Sequence, residues 1–263
     1  MHPVITSPHN PKIKNIQSLE KSRERMRQKV FLVEGIRELT LAVQAGYALV
    51  TVFFCPEIVS AKEVIAIVRD SHLLIPVDQP VFARIAYRDS TEGVVAVLSQ
   101  KEHILEKVEL GSNPLILILD GVEKPGNLGA ILRTADAAKL DAVILCDTKT
   151  DFYNPNVIRS SVGCLFTIPT AAGSIEDVIS WVNDNSLQVL VTDLQGSMPY
   201  YEINYAGPTA IVMGTESTGI SDRWREAADA RIIIPMRGKI DSMNVSNAAA
   251  VITFEALRQR KFR

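Results

Sequence analysis

The stretch LILILDGVEKPGNLGAILRTADAAKLDAVILC, residues 115–146, decides the fold class. Leu115 to Leu119 form an unbroken apolar run, too short for a helix and too apolar for a strand with one wet face. Such a run reads as a strand buried on both sides. NLGAILRTADAAKL (127–140) then spaces Leu128, Ile131, Leu132 and Ala135 as one face of a helix. AVILC (142–146) is a second fully apolar strand. Buried strands alternating with helices predict a mainly parallel sheet covered on both faces, the α/β class.

The alternation continues to the C-terminus. LFTIPTA (165–171), LQVLVTD (187–193), TAIVMG (209–214) and RIIIPM (231–236) are apolar runs. Helical patterns at IEDVISWVND (175–184), RWREAAD (223–229) and NAAAVITFEALRQ (247–259) separate or follow them. Toward the N-terminus, VFLVEG (30–35), LVTVFFC (49–55), LLIPV (73–77) and GVVAVL (93–98) read as strands. Helices are expected over 36–46, 61–70 and 80–86 between them, a second and smaller α/β layer structure. The polar stretch SQKEHILEKVELGSNP (99–114) separates the halves and ends in turn residues. The expected organisation is a domain over 1–105 with a basic extension over its first 29 residues, a linker at 106–113, and a domain over 114–263.

The 47% hydrophobic and 22% charged residues suit a globular chain with a real core. No apolar run reaches the roughly 18 residues that a membrane span needs, and the N-terminus lacks the apolar region of a signal peptide. Cys55, Cys146 and Cys164 are far apart and show no metal or disulfide spacing. The cytoplasm is the expected compartment. The net charge of −2 hides basic ends: Lys12, Lys14, Lys21, Arg23, Arg25, Arg27 and Lys29 crowd the first, and RQRKFR closes the chain. Either these are solvated termini, or they form a surface for a polyanion.

Several activities are excluded by what is missing. The four histidines are His2, His9, His72 and His103, so the second domain cannot build a Ser-His-Asp or Cys-His site from its own residues. GTESTG (214–219) is not a nucleophile elbow, GVEKPGNL (121–128) lacks the Lys-Ser/Thr of a P-loop, and GNLGAILR is not the dinucleotide fingerprint. What remains is a polar set at strand ends, where open α/β sheets bind ligands. Asn127 reads as a helix N-cap. Arg133 reads as a surface residue laid along an apolar face or as a functional one. Glu216 serves equally as a cap or as a catalytic group. In DSMNVSNAAA (241–250), Ser242, Asn244 and Ser246 alternate with Met243 and Val245. A cap needs one acceptor, and Ser246 or Asn247 can supply it; the surplus polar groups suggest a ligand.

NLGAILRTADA, IVMGTESTGIS and IIIPMRGKIDSMNVSNAAAVITFEALR resemble, in order, the three motifs of the SpoU (TrmH-type) branch of the SPOUT methyltransferases. The resemblance spans the whole second domain. The first domain is similar to the ribosomal-protein-like substrate-binding domain that precedes this fold in many rRNA ribose methyltransferases. This resemblance implies methyl transfer from S-adenosyl-L-methionine to a ribose 2′-hydroxyl, on rRNA in preference to tRNA. It also implies a parallel sheet with a deep trefoil knot, and a homodimer formed through the second domain. Leu194, Gly214, Ile234, Met236 and Met243 would hold the cofactor. Arg133, Asn127, Glu216, Ser242 and Asn244 would act on the ribose, and Lys12, Lys14, Lys21, Arg23, Arg25, Arg27 and Lys29 would hold RNA. Other readings are a silent RNA-binding or ribosome-assembly protein that kept the fold, and a base methyltransferase.

Overall fold

The computed structural model describes residues 2–87, 92–147, 150–195, 198–215 and 218–262. The elements in the first part of the chain are α1 (Pro11–Ser18), α2 (Ser22–Gln28), β1 (Val30–Glu34), α3 (Ile36–Gln44), β2 (Leu49–Phe54), α4 (Ala61–Val68), β3 (Leu74–Pro76), α5 (Gln79–Phe82) and β4 (Val94–Ser99). There follow β5 (Leu115–Asp120), α6 (Pro125–Ala138), β6 (Ala142–Cys146), α7 (Pro155–Ser160), β7 (Thr170–Gly173), α8 (Ile175–Asp184) and β8 (Gln188–Thr192). The last are β9 (Met198–Pro199), β10 (Thr209–Met213), α9 (Asp222–Ala227), β11 (Ala230–Ile233) and α10 (Val245–Gln259). No described helix is long and apolar enough to cross a membrane.

Two compact units result: residues 1–101 with 151–167, and residues 102–150 with 168–263. The second unit is built on a seven-stranded sheet of order β7-β6-β5-β10-β8-β11-β9. Every pairing in it is parallel. All residues of β5, β6 and β10 are buried, as a parallel sheet covered on both faces requires. Successive strands run outward from β5 to β6 and β7 on one side, while β8 and β10 lie on the other. The β5–β10 boundary is therefore a point where strand order reverses, the place where such sheets open a crevice at their carboxyl ends. The stretch 106–113, expected to be a linker, belongs to this unit, with Val108 and Leu110 packed against its core; Leu105, expected in the first domain, is buried in that same core.

The first unit has a mixed sheet of order β1-β4-β2-β3, with β4 antiparallel to β1 and β2, and β2 parallel to β3. Its first 29 residues are not an extension, contrary to the sequence expectation. They form α1 and α2, and Ile13, Ile16 and Leu19 sit in the core beside Phe53, Ile75 and Val95. Residues 151–167 complete the same unit. Tyr153 stacks on Phe31 at 4.3 Å between ring centroids, and Phe166 lies 6.0 Å from Phe31.

Arg25 is the corresponding correction at the level of one side chain. It is 1% exposed. Its Nη1 donates to the carbonyls of Leu19 and Glu20, both at 2.7 Å, and its Nε and Nη2 donate to Asp151 Oδ2 at 3.0 and 2.7 Å. A guanidinium so enclosed is a structural strut and has no face left for a phosphate. Removing one member of a buried pair strands the other charge, at a cost of about 3–5 kcal/mol. Arg25→Ala should therefore lower stability by about that much in denaturant unfolding; a change below about 1 kcal/mol would contradict the strut role.

Candidate active site

Three loops at the carboxyl ends of β8, β10 and β11 wall a cavity of about 730 Å³, and Val245, Ala248 and Ile252 of α10 close it from below. This lies within the roughly 300–1,000 Å³ typical of cofactor sites. The loop after β10 is shaped by a close approach of backbone to backbone. A Cβ on Gly214 would lie 2.3 Å from the carbonyl carbon and oxygen of Gly219 and 2.6 Å from the nitrogen of Ile220. Only glycine permits this crossing. Thr215 and Gly219 then exchange two backbone hydrogen bonds of 3.1 Å, closing a hook, and Gly219 turns it with a φ of +70°. Ser221 N, just beyond, donates to the buried Asp120 Oδ2 at 2.8 Å, which ties the hook to the end of β5.

The structure brings the five expected cofactor residues together. Leu194, Gly214, Ile234, Met236 and Met243 all line this cavity, and Ser242 lies on it as well. Leu194 is 57% exposed, an apolar side chain held open toward the space. Among the other lining residues is an ion pair that the sequence reading did not name. Asp193, at the end of β8, accepts from Arg225 Nε at 2.9 Å, and Arg225 Nη1 donates to Asp222 Oδ1 at 2.7 Å. Burial pushes the Asp193 carboxyl up and is the largest single influence on it, but the hydrogen bonds from Arg225 and from Gln195 N, with the charges of Arg225 and Arg231, together hold the group below the usual carboxylate range. In return, the bonds to Asp193 and then Asp222 raise the Arg225 guanidinium. Asp193 adjoins Leu194 in the TDLQG loop after β8, but nothing local in the sequence marks its pairing with Arg225, 32 residues away.

The polar set is divided. Asn244 Nδ2 donates to Asn127 Oδ1 at 3.0 Å, joining the starts of α10 and α6 across 117 residues. Asn244 is itself the N-cap of α10, its Oδ1 accepting from Ser246 N at 3.0 Å, so neither Ser246 nor Asn247 holds that position. Asn127 is likewise not a cap: Lys124 occupies the N-cap of α6 and Pro125 begins the helix. Proline at the first helical position is the signal that places the cap one residue earlier. Ser242 Oγ donates to Asp241 Oδ1 at 3.2 Å. Arg133 is exposed on α6 and makes no hydrogen bond or ion pair with another described residue. Glu216 lies outside the described residues. In the first unit Lys12, Lys14, Lys21, Arg23, Arg27 and Lys29 are exposed, while Arg25 is withdrawn as described above.

Residues 114–254 match the SpoU rRNA Methylase family, a span that takes in β5 to β11 and most of α10. The chain belongs to the SpoU rRNA methylase family. Residues 10–96 match the MRM3-like substrate binding domain, a span that takes in the two helices of the basic segment. Among SpoU relatives, the 23S rRNA (uridine(2479)-2′-O)-methyltransferase of Streptomyces viridochromogenes is 31% identical over 97% of this chain and 92% of its own. The 23S rRNA (guanosine(2553)-2′-O)-methyltransferase of Bacillus subtilis is 30% identical over 95% and 97%. A crystal structure of an AdoMet-bound rRNA methyltransferase from Sinorhizobium meliloti superposes with a TM-score of 0.88, at 32% identity and 97% coverage of each chain.

The SpoU hook rests on Gly214 having no side chain. Gly214→Ala should cost more than about 4 kcal/mol, the range reserved for changes the fold cannot absorb. The expected result is a chain that no longer gives a cooperative thermal transition for the second unit. Asn244→Ala should cost about 1 kcal/mol as a lost cap, read as a lowered unfolding midpoint. A stable Gly214→Ala protein would show that the crossing can relax.

Proposed function

We propose that this chain transfers a methyl group from S-adenosylmethionine to a ribose 2′-hydroxyl of rRNA, the cofactor occupying the cavity walled by Leu194, Gly214, Ile234, Met236 and Met243. The observation that carries this is the convergence of those five residues on one cavity beside Ser242. The donor set suits the cofactor: apolar side chains can flank an adenine, and the backbone at Gly214 and Gly219, which carry no Cβ, can meet its polar edges. The bound cofactor supplies a methyl group already activated by its sulfonium.

The residues of the chain have the task of placing the 2′-oxygen about 3–3.5 Å from that methyl in line with the bond that breaks. The Asn244–Asn127 hydrogen bond fixes two amides at the starts of α10 and α6, and with Ser242 these orient the ribose. Arg133 is not a base, because a guanidinium presents five N–H donors and no acceptor. Its role is to hold the neighbouring phosphate and to stabilise charge developing on the 2′-oxygen. That it has no partner among described residues fits a side chain kept for RNA. Glu216 steadies Arg133 or its loop.

The first unit binds the RNA, and Lys12, Lys14, Lys21, Arg23, Arg27 and Lys29 contact phosphates; the match of residues 10–96 to a substrate binding domain supports this. The names of the relatives favour 23S rRNA over tRNA, and such a substrate places the work in the cytoplasm. The second unit carries the trefoil knot and pairs two copies of the chain, as the family resemblance implies.

Mapping 2′-O-methyl sites in total RNA with and without the gene should reveal one rRNA position that loses its mark. An unchanged map, or a base-methyl product in digested nucleosides, overturns the proposal. Arg133→Lys should lower turnover by about 100-fold or more, the cost of one misplaced charge-stabilising donor. Reversing charge at Arg23 and Arg27 should weaken RNA binding and flatten its salt dependence by about 0.7–0.9 per lost phosphate contact.

A further inference from the structure

The Asp193–Arg225 pair borders the cavity but belongs to none of the three motifs. Its geometry is that of a clamp. Asp193 is held from three sides: its N–H donates to Ile232 O at 3.0 Å, its Oδ1 accepts from Gln195 N at 3.3 Å, and its Oδ2 accepts from Arg225 Nε at 2.9 Å. The first of these ties the end of β8 to β11, and the second folds the next residues into a turn with Leu194 at its tip. Arg225 stands on equally fixed ground. Trp224 beside it is fully buried, and Ser221 at the start of α9 is tied to Asp120. The pair thus links a helix anchored in the core to the loop that presents Leu194.

Arg225 also reaches the other wall. A Cβ on Gly219 would lie 3.9 Å from Arg225 Nη2, the nearest atom among the described residues outside the glycine's own chain neighbours. The guanidinium therefore backs the turn of the hook. With Nε given to Asp193 and Nη1 to Asp222, Nη2 donates to no described residue. The exposures, 31% for Arg225 and 7% for Asp193, place the pair at the edge of the cavity with its acid turned inward.

The charge balance says which part of a ligand this corner can take. One guanidinium stands between two carboxylates, and among the described lining residues Asp193, Asp222 and Asp241 outnumber Arg225 and Arg231. A ligand carboxylate would meet net negative charge here, which like-charge repulsion disfavours. A neutral acceptor, a ring nitrogen or a ribose hydroxyl, meets only the spare Nη2 donors.

We infer that Asp193 and Arg225 are positioning residues for the nucleoside end of the cofactor, setting the distance between the Leu194 loop and the Gly219 turn. This rests on the cofactor reading above. The pair would act on adenosine and leave the amino-acid end of the molecule untouched. Because Asp193 is nearly enclosed, loss of Arg225 would also leave a stranded carboxylate that shifts the loop.

The test is calorimetric titration of the full chain with two ligands, S-adenosylhomocysteine and 5′-methylthioadenosine, which lacks the amino-acid end. Arg225→Ala and Asp193→Asn should each weaken both ligands by about tenfold and by the same factor, with the double variant no weaker than the poorer single one. Arg225→Lys can pair with Asp193 but cannot span both carboxylates, so it should recover affinity to within about threefold of wild type. It also serves where the alanine variant does not fold. Unchanged affinities would overturn the inference. So would loss of S-adenosylhomocysteine alone, which would make Arg225 a direct contact to the ligand carboxylate. Wild-type protein that binds neither ligand would overturn the cofactor reading instead.

Discussion

The second unit depends on the passage of one strand of backbone against another at Gly214. Remove the possibility of that contact and the order of everything beyond it is lost. The crossing delivers Gly219 and Ile220 against the end of β10, and this puts Ser221 N within reach of Asp120. With its first turn fixed, α9 can insert Trp224 into the core and turn Arg225 toward Asp193. The cavity is thus bounded by a relay of short contacts that begins with a missing methyl group. Its walls are rigid for the reason that protein interiors are rigid: the atoms have nowhere else to go.

Asn244 shows how a site can be made from a structural necessity. The start of any helix needs an acceptor for its free N–H groups, and Asn244 Oδ1 provides it. The amide has a second end, however, and that end holds Asn127 at the start of another helix. Serine or aspartate would cap α10 as well but could not donate in this way with the other half of a planar amide. The same side chain therefore sets the direction of α10 and the spacing of the polar groups beside the cavity.

What could be read in advance followed burial. The strands β5, β6 and β10 are wholly apolar, and their pattern announces a covered parallel sheet without help from distant residues. The wall of the cavity was legible through motifs at strand ends, since glycines and polar runs stand out against apolar strands. The failures share a cause. Arg25 looks like every other cation in its segment, and only Asp151, 126 residues away, makes it internal. Asp193 and Arg225 are ordinary surface residue types until folding sets them 2.9 Å apart. Residues 151–167 follow β6 in sequence but pack with the first unit, and no local period records such a choice. Ion pairs and partner segments are decided at long range, where a pattern read along the chain is blind.

The strand order has a consequence for the chain as it leaves the ribosome. β5 is made early, yet its neighbour β10 begins at Thr209, so the middle of the sheet stands open until most of the chain exists. The first unit waits as well, because Arg25 and Phe31 find Asp151 and Phe166 only after those residues have been made. Neither unit can close in the order in which it is synthesised. Through that interval β5 presents a bare apolar edge, the kind of surface on which chaperones act and aggregates start.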